Sequence, residues 1–240
     1  MRFDIITLFP NSVRAMLDES IIGRAQKNGI LTINTHNIRD YAFNKHKSVD
    51  DTPYGGGRGM LMATDPIYEC YSHVCALIGN DAQKPHTIYM SPKGTVLTQK
   101  KSEELTKHEN IVIICGHYEG IDERIIETIV DEEISIGDYV LSGGELPACV
   151  LIDSISRMID GVLPSPECFE NESISAGLLE YPQYTRPYEF MGKKVPDVLI
   201  SGNHKLIDEW RFEKSLEITK ERRPDMYEKY IRKINEVDKT

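Results

Sequence analysis

The amino-acid sequence predicts an α/β fold with a parallel sheet, followed by a small C-terminal helical domain. In the middle third, three β-rich runs at residues 87–90, 110–115 and 132–136 alternate with helical stretches near 98–107 and 121–130. This alternation is typical of a parallel sheet. The run 111–115 is apolar at every position, which indicates a strand covered by helices on both faces.

The N-terminal region adds strands and short helices to this sheet. A strand is predicted over residues 2–9; Pro10 ends it, and Asn11 or Ser12 is positioned to cap a short helix. A helix follows at 20–28, which Gly29 ends in a left-handed turn, and a strand at 31–35. Segment 50–60 holds Pro53 and a glycine cluster and is predicted as a loop.

The second half of the chain suggests a boundary between two domains. A long helix over 145–160 has a wide apolar surface, which predicts burial against a large neighbour. Residues 162–176 combine prolines with polar residues and show weak periodicity, as linkers do. Two helices are predicted over 203–222 and 224–236. We therefore expect an N-terminal α/β domain at 1–161, a flexible linker at 162–176 and a C-terminal helical domain at 177–240.

Composition restricts the class of protein and its location. The chain has 240 residues, of which 40% are hydrophobic and 28% charged, values that are ordinary for a globular protein. No apolar run approaches the ~20 residues of a membrane helix, and the start Met1-Arg2-Phe3-Asp4 lacks signal-peptide features. We expect a cytoplasmic protein. Five cysteines without a C-x-x-C pair predict reduced thiols and no zinc site.

The charge is unevenly distributed along the chain. The formal net charge is −10, which by itself argues against a nucleic-acid partner. Segment 185–223, however, holds nine Lys and Arg against seven Asp and Glu. A solvated helix surface of mixed charge is the simpler explanation from composition alone.

Each of the three central β-rich runs ends in a glycine-rich loop. These are Ser91-Pro92-Lys93-Gly94, Gly116-His117-Tyr118-Glu119-Gly120 and the segment 136–144. Loops at the carboxyl ends of parallel strands meet at one edge, where ligands bind. Glycine lets the backbone approach a flat ligand, and Tyr and Leu offer stacking area. The sequence therefore predicts a small-molecule pocket, although no loop has the dinucleotide-binding G-x-G-x-x-G pattern.

These loops and several later motifs resemble the bacterial tRNA (guanine-N(1)-)-methyltransferase family, the TrmD-type members of the knotted SPOUT superfamily. The resemblance extends over nearly the whole chain in the same order. The matching segments are Tyr54-Gly55-Gly56-Gly57-x-Gly59-Met60, Gly116-x-Tyr118-Glu119-Gly120-x-Asp122-x-Arg124, the run from Ser135 to Pro147, Tyr184-Thr185-Arg186-Pro187, Ser201-Gly202-Asn203-His204 and Trp210-Arg211. The run from Ser135 to Pro147 is the most specific of them.

The resemblance implies a deep trefoil knot in the α/β domain, a homodimer with a shared active site, and S-adenosyl-L-methionine as methyl donor. It further implies methylation of guanine N1 in the guanosine immediately 3′ of the tRNA anticodon. It suggests a requirement for Mg²⁺, although no ligand cluster has the spacing of a dedicated metal site.

Site residues follow from the same resemblance. Those implied to bind the methyl donor are Tyr89, Ser91, Gly94, Gly116, Tyr118, Glu119, Gly120, Ile136, Gly137, Asp138, Tyr139, Val140, Leu141, Gly143, Gly144 and Pro147. The family's catalytic arginine matches Arg157, and its catalytic aspartate aligns with Glu172, a longer carboxylate. Glu170, two residues away, is the alternative base. Arg58 replaces the family's usual proline in the glycine loop.

The resemblance explains the cations of the tail as contacts to tRNA phosphates, which position a substrate without reading its sequence. The residues expected to bind RNA are Arg186, Lys193, Lys194, His204, Lys205, Arg211, Arg222 and Arg223. Glu119 and Tyr118 are candidates for reading the edge of the target guanine. His117 and His204 are predicted to be structural or RNA-contacting, because a carboxylate already serves as base.

Two other functions remain open on these residues. A methyltransferase of the same superfamily that acts on a ribose 2′-hydroxyl would not need the carboxylate. A non-catalytic RNA-binding module with a vestigial pocket is the second alternative.

Overall fold

A computed structural model of the chain describes residues 1–79, 84–165, 173–174 and 177–237. The chain divides into two compact units, Met1–Ser165 and Pro166–Thr240. Each unit has its own secondary structure and is described separately below.

The first unit is built on a five-stranded sheet in which every pairing is parallel. Its strands are β1 (Arg2–Thr7), β2 (Thr32–Asn37), β5 (His86–Val96), β6 (Asn110–Cys115) and β7 (Glu132–Ser135), in the spatial order β2-β1-β6-β5-β7. Two short strands, β3 (Asp50–Asp51) and β4 (Leu61–Met62), form a separate antiparallel pair. The predicted α/β fold with a parallel sheet is therefore confirmed.

Helices cover both faces of this sheet and create two hydrophobic cores. The helices are α1 (Pro10–Leu17), α2 (Ser20–Lys27), α3 (Thr64–Ile78), α4 (Gln99–Leu105), α5 (Glu123–Ile129) and α6 (Glu145–Ser156). Along β6, Ile111 and Ile113 belong to the core under α1, α2, α4 and α6, whereas Val112 and Ile114 belong to the core under α3 and α5. Alternate side chains of a strand face opposite sides, so an all-apolar strand serves both cores.

Several local features differ from the sequence predictions. Strand β1 ends at Thr7 and helix α6 at Ser156, earlier than residues 9 and 160. Helix α1 begins at Pro10 with Phe9 as its N-cap and without a side-chain cap bond, so Asn11 and Ser12 do not cap it. A proline is suited to the first helical position because the amide hydrogen that it lacks would have no helical partner there. Strand β5 continues to Val96, because a register shift between Met90 and Thr95 restores its pairing with β7. Helix α3 was absent from the prediction.

The second unit contains a short hairpin and two helices. The hairpin pairs β8 (Glu189–Phe190) with β9 (Lys193–Lys194), and both of its turn residues, Met191 and Gly192, have positive φ. Two residues with positive φ suit the twist of a hairpin turn. A 3₁₀ turn at Asp197–Ile200 precedes α7 (His204–Arg222) and α8 (Pro224–Val237). The two helices predicted over 203–222 and 224–236 are confirmed, and their ends agree to within about two residues.

The cysteines within the described residues are free, as expected. Cys70, Cys115 and Cys149 are buried and Cys75 is partly exposed, whereas Cys168 lies outside the described residues. Burial raises the pKa of Cys70 to about 12 and that of Cys149 to about 11. Across the described ranges, no helix combines the length and apolar character needed to cross a membrane.

Candidate active site

A cavity of about 300 Å³ lies at the carboxyl edge of β5, β6 and β7. Its walls come from the irregular part of β5 around residues 91–93 and from the loops that follow β6 and β7, so the first of the three predicted loops is part of a strand. The predicted donor-binding residues that line it are Tyr89, Ser91, Gly116, Tyr118, Glu119, Gly120, Ile136, Gly137, Tyr139, Val140, Leu141, Gly143, Gly144 and Pro147. The structure thus brings residues from three separate segments of the chain to one site.

Gly94 and Asp138 are not among the residues that line this cavity. A Cβ atom at Gly94 would lie 2.4 Å from the backbone carbon of Glu133, so the glycine allows β5 to pass close to β7. Asp138 is exposed. The carbonyl of Gly137, the residue before Asp138, accepts a hydrogen bond from Ser135 Oγ. The lining residues that the prediction omitted are Met90, Pro92, Lys93, His117, Ile121, Ile126, Ile134, Ser135 and Ser142. Most of them are next to predicted positions in the sequence, and this proximity was the only sequence signal that could have identified them.

The loop after β6 has a tightly constrained backbone. Tyr118 has φ 58° and Gly120 has φ 118°, so the chain turns sharply at both. Glu119 N donates to Met60 O and Met62 N donates to Gly120 O, each at 3.0 Å. These bonds attach the loop to the segment that follows the glycine cluster. Gly59 has φ 89°, a conformation that favours glycine, and a Cβ atom there would lie 2.5 Å from Cγ of the exposed Glu119 side chain, which would have to move.

The loop after β7 lies against the loop after β6. Gly144 N donates to Gly116 O at 3.0 Å, and His117 and Gly143 form an antiparallel bridge. A Cβ atom at Gly144 would lie 2.7 Å from Cys115 Cα. The cavity therefore depends on close backbone contact between the two loops, which glycine side chains permit.

Tyr89 contributes a buried phenol to the cavity wall. Burial, reinforced by the nearby Glu133 carboxylate, raises the pKa of Tyr89 to about 12. The phenol is therefore protonated at neutral pH. A Cβ atom at Gly116 would lie 2.7 Å from the Tyr89 hydroxyl oxygen, so a side chain there would displace the phenol.

A buried carboxylate lies beside the two contacting loops. Glu145, the first residue of α6, is 8% exposed. Its Oε2 is 2.7 Å from His117 Nε2, and its Oε1 accepts from the Thr7 hydroxyl at 2.5 Å. The Phe9 and His117 rings lie 4.8 Å apart between centroids. His117 thus has the structural contacts that the sequence suggested, and it also lines the cavity.

Comparison with known proteins decides the family. A family model described as tRNA (Guanine-1)-methyltransferase TrmD matches residues 1–229. The chain belongs to this family. It is 57% identical to the tRNA (guanine-N(1)-)-methyltransferase of Ruminiclostridium cellulolyticum, with 95% of this chain and 97% of the relative aligned. The enzymes of the same name from Clostridioides difficile and Anoxybacillus flavithermus are 57% and 53% identical, over 95% and 96% of this chain and 98% and 93% of theirs.

Two catalytic residues were predicted for this TrmD-family chain. Arg157 follows directly after α6, and its backbone N donates to Asp153 O at 3.2 Å. The residue is partly buried and has an interaction partner. Glu172 and the alternative base Glu170 lie outside the described residues.

The predicted RNA-binding cations of this TrmD-family chain lie in the second unit. Lys194 pairs with Glu189 at 3.8 Å, Lys205 with Glu209 at 3.9 Å and Arg211 with Asp208 at 3.3 Å. Arg223 forms an ion pair with Asp225 at 2.6 Å. Exposed pairs of this kind are weak and are readily exchanged for phosphate contacts. Within the described residues, no ion pair is found for Arg186, Lys193, His204 or Arg222.

The same unit also has an open cleft of about 500 Å³. Its lining residues are Tyr184, Thr185, Arg186, Tyr188, Val195, Leu199 and Ile200. Arg211 lies 5.0 Å from the Tyr181 ring centroid, a cation–π contact that orients its guanidinium. Aromatic rings beside exposed cations are the surface chemistry that RNA-binding proteins use.

Proposed function

We propose that this chain transfers a methyl group from S-adenosyl-L-methionine to N1 of the guanosine immediately 3′ of the tRNA anticodon. The glycine-walled cavity at the carboxyl edge of the parallel sheet carries this proposal, since it occurs in a chain of the tRNA (guanine-1)-methyltransferase family. A small-molecule site is expected at this edge on general grounds.

The cavity suits an adenosyl ligand. Its glycines expose main-chain atoms to a ligand because they lack side chains, while Tyr118, Tyr139 and Leu141 offer apolar area for a flat ring. When bound, the donor supplies a methyl group that its sulfonium makes electrophilic. The loops then have to bind and orient that group, because correct placement accounts for much of the acceleration of a two-substrate reaction.

The acceptor requires acid–base chemistry. Guanine N1 carries a proton, so a base must remove it and a cation must stabilise the negative charge that develops on the neighbouring oxygen. We assign the base to Glu172, with Glu170 as the alternative, and the cation to Arg157. We assign the reading of the edge of an unstacked guanine to Glu119 and Tyr118, which line the cavity.

We assign tRNA binding to the second unit, through the basic residues named above and the aromatic cleft. Accordingly, residues 1–161 would form the catalytic domain, 162–176 a linker and 177–240 the tRNA-binding domain. A tRNA substrate would place the enzyme in the cytoplasm. Magnesium is also implied by the family, but the described residues contain no group of three or more His, Cys, Asp or Glu suited to a metal ion, so we assign it no ligands.

We further propose that the first unit is knotted and dimeric. From β7 at the edge of the sheet, the chain returns to Gly116 and Cys115 at the end of β6 before α6 packs on β1 and β6. That path is compatible with a knot, in which the chain passes through a loop formed by its own backbone. On α6, Leu146 and Val150 are 54% and 45% exposed, and Val140 nearby in the chain is 82% exposed. Exposed apolar residues grouped along one segment favour a self-interface.

One assay tests the proposal. The protein is incubated with unmodified tRNA and methyl-labelled S-adenosylmethionine, and the product is digested to nucleosides. Label is expected in 1-methylguanosine, and it should disappear when the guanosine 3′ of the anticodon is replaced by adenosine in the tRNA. Label in a ribose-methylated nucleoside would favour the 2′-hydroxyl alternative. Binding of tRNA without any label would favour the non-catalytic module.

A further inference from the structure

The hydrogen-bonded pair Glu145–His117 connects two elements that are distant in sequence, and His117 lines the cavity. Glu145 begins α6, and His117 lies in the loop after β6. A carboxylate can only accept hydrogen bonds when ionised, so the 2.7 Å contact requires a proton on His117 Nε2. Thr7, at the end of β1, occupies the other carboxylate oxygen and also accepts from Phe9 N at 2.9 Å. The carboxylate is thus held from two sides.

This pair lies directly beneath the contact between the two donor loops. A Cβ atom at Gly143 would lie 2.3 Å from His117 Nε2 and 2.6 Å from Glu145 Oε2. The backbone of the loop after β7 at Gly143 therefore packs directly against the two hydrogen-bonded atoms, His117 Nε2 and Glu145 Oε2. His117 and Gly143 both line the cavity, so a movement of the pair would change its walls.

Stability alone does not account for the pair. Withdrawing a carboxylate from water is unfavourable, and apolar residues of similar volume are often equally stabilising in such positions. A carboxylate–imidazole bond, however, has a fixed length and direction, which apolar contacts lack. We propose that Glu145 and His117 are positioning residues: their hydrogen bond holds the loops after β6 and β7 in register and so determines the affinity for the methyl donor. This inference rests on the proposed function.

Substitutions can separate this role from a structural one. In His117→Leu the hydrogen bond is lost and the Glu145 carboxylate is left buried with one partner fewer. The double variant His117→Leu/Glu145→Met removes both polar partners, so its melting temperature should recover relative to His117→Leu. His117→Gln retains a side-chain N–H donor and should rescue donor binding.

A second carboxylate–imidazole pair provides a matched control. His86 Nε2 lies 2.7 Å from Glu132 Oε1 at the amino end of β5, and neither residue lines the cavity. Glu132 also pairs with Lys101 at 3.0 Å, so folding should survive the loss of the imidazole. His86→Leu therefore removes the same type of bond from a different place in the same unit.

The dissociation constant for S-adenosylmethionine is measured by calorimetry, well below each variant's melting temperature. We expect about 10- to 100-fold weaker binding in both His117→Leu and the double variant, the scale of one hydrogen bond to a charged group. His117→Gln and His86→Leu should stay within about threefold of wild type. Wild-type affinity in the double variant, or in His117→Leu, would overturn the inference. Failure of the wild-type chain to bind the donor would instead overturn the proposed function, and this inference with it.

Discussion

Gly144→Ala is a small substitution with a large expected effect on the cavity. Gly144 has φ −82° and ψ −5°, a conformation that alanine adopts without strain. The effect must therefore come from space. The new Cβ would lie 2.7 Å from Cys115 Cα and 3.1 Å from Gly116 N, and both are main-chain atoms that cannot rotate away.

Relieving this overlap requires the two loops to separate by about 1 Å, because carbon atoms pack at about 3.5 to 4.0 Å. The 3.0 Å bond from Gly144 N to Gly116 O would lengthen or break. Overpacking of this type costs about 1 to 3 kcal/mol, and about 1.4 kcal/mol corresponds to a tenfold change in affinity. We expect donor affinity to fall by about tenfold or more.

Calorimetric titration of the variant with S-adenosylmethionine tests this expectation. Gly29→Ala is the control: Gly29 has φ 74°, nothing lies within 4 Å of its added Cβ, and it follows α2 in the same unit. It should lose about 1 kcal/mol of stability through backbone strain but bind the donor normally. A Gly144→Ala affinity within twofold of wild type would show that the loop contact does not shape the pocket.

Four further outcomes are expected. Glu172→Ala should slow single-turnover methyl transfer by about 10²-fold with donor affinity unchanged; wild-type turnover would indicate Glu170 instead. Arg157→Ala should slow the same step by about 10²-fold, whereas a loss confined to tRNA affinity would make it a binding residue. Affinity for tRNA should fall by about 10³-fold between about 50 and about 200 mM salt if about six tail cations contact phosphates, and a flat profile would contradict that surface. A heterodimer of Gly143→Trp and Glu172→Ala chains, each inactive alone, should regain activity, because one of its two sites then has neither defect; an inactive, verified heterodimer would refute the shared site.

The parallel sheet was predictable because its strands carry strong local signals. Residues 111–115 are continuously apolar, and glycine-rich loops mark the ends of β6 and β7. Helix α3 was not predicted: its N-cap Ala63 makes no side-chain cap bond, and Pro66 and two tyrosines obscure its helical pattern. Its stability comes from burial, with Ile67, Cys70 and Val74 fully covered in the core. Tertiary packing, which a local pattern does not contain, explains this helix.

The site was predictable in part for a related reason. The motif from Ser135 to Pro147 located one wall of the cavity, because its backbone contacts depend on glycines visible in the sequence. Glu145 was not singled out, since its partners Thr7 and His117 lie 138 and 28 residues away. Only the folded sheet brings β1, β6 and α6 together. The structural role of Gly94 likewise depends on its contact with β7.

The reliance of the cavity on main-chain atoms bears on how it could be inhibited. A compound that packed against the backbone at Gly116, Gly120 and Gly144 would contact atoms that no amino-acid substitution removes. Escape would require added bulk at those glycines, and a Cβ at Gly116 or Gly144 already meets neighbouring atoms within 2.7 Å. The same bulk would exclude the natural ligand. Selection for drug resistance and selection for activity would therefore oppose each other at these positions.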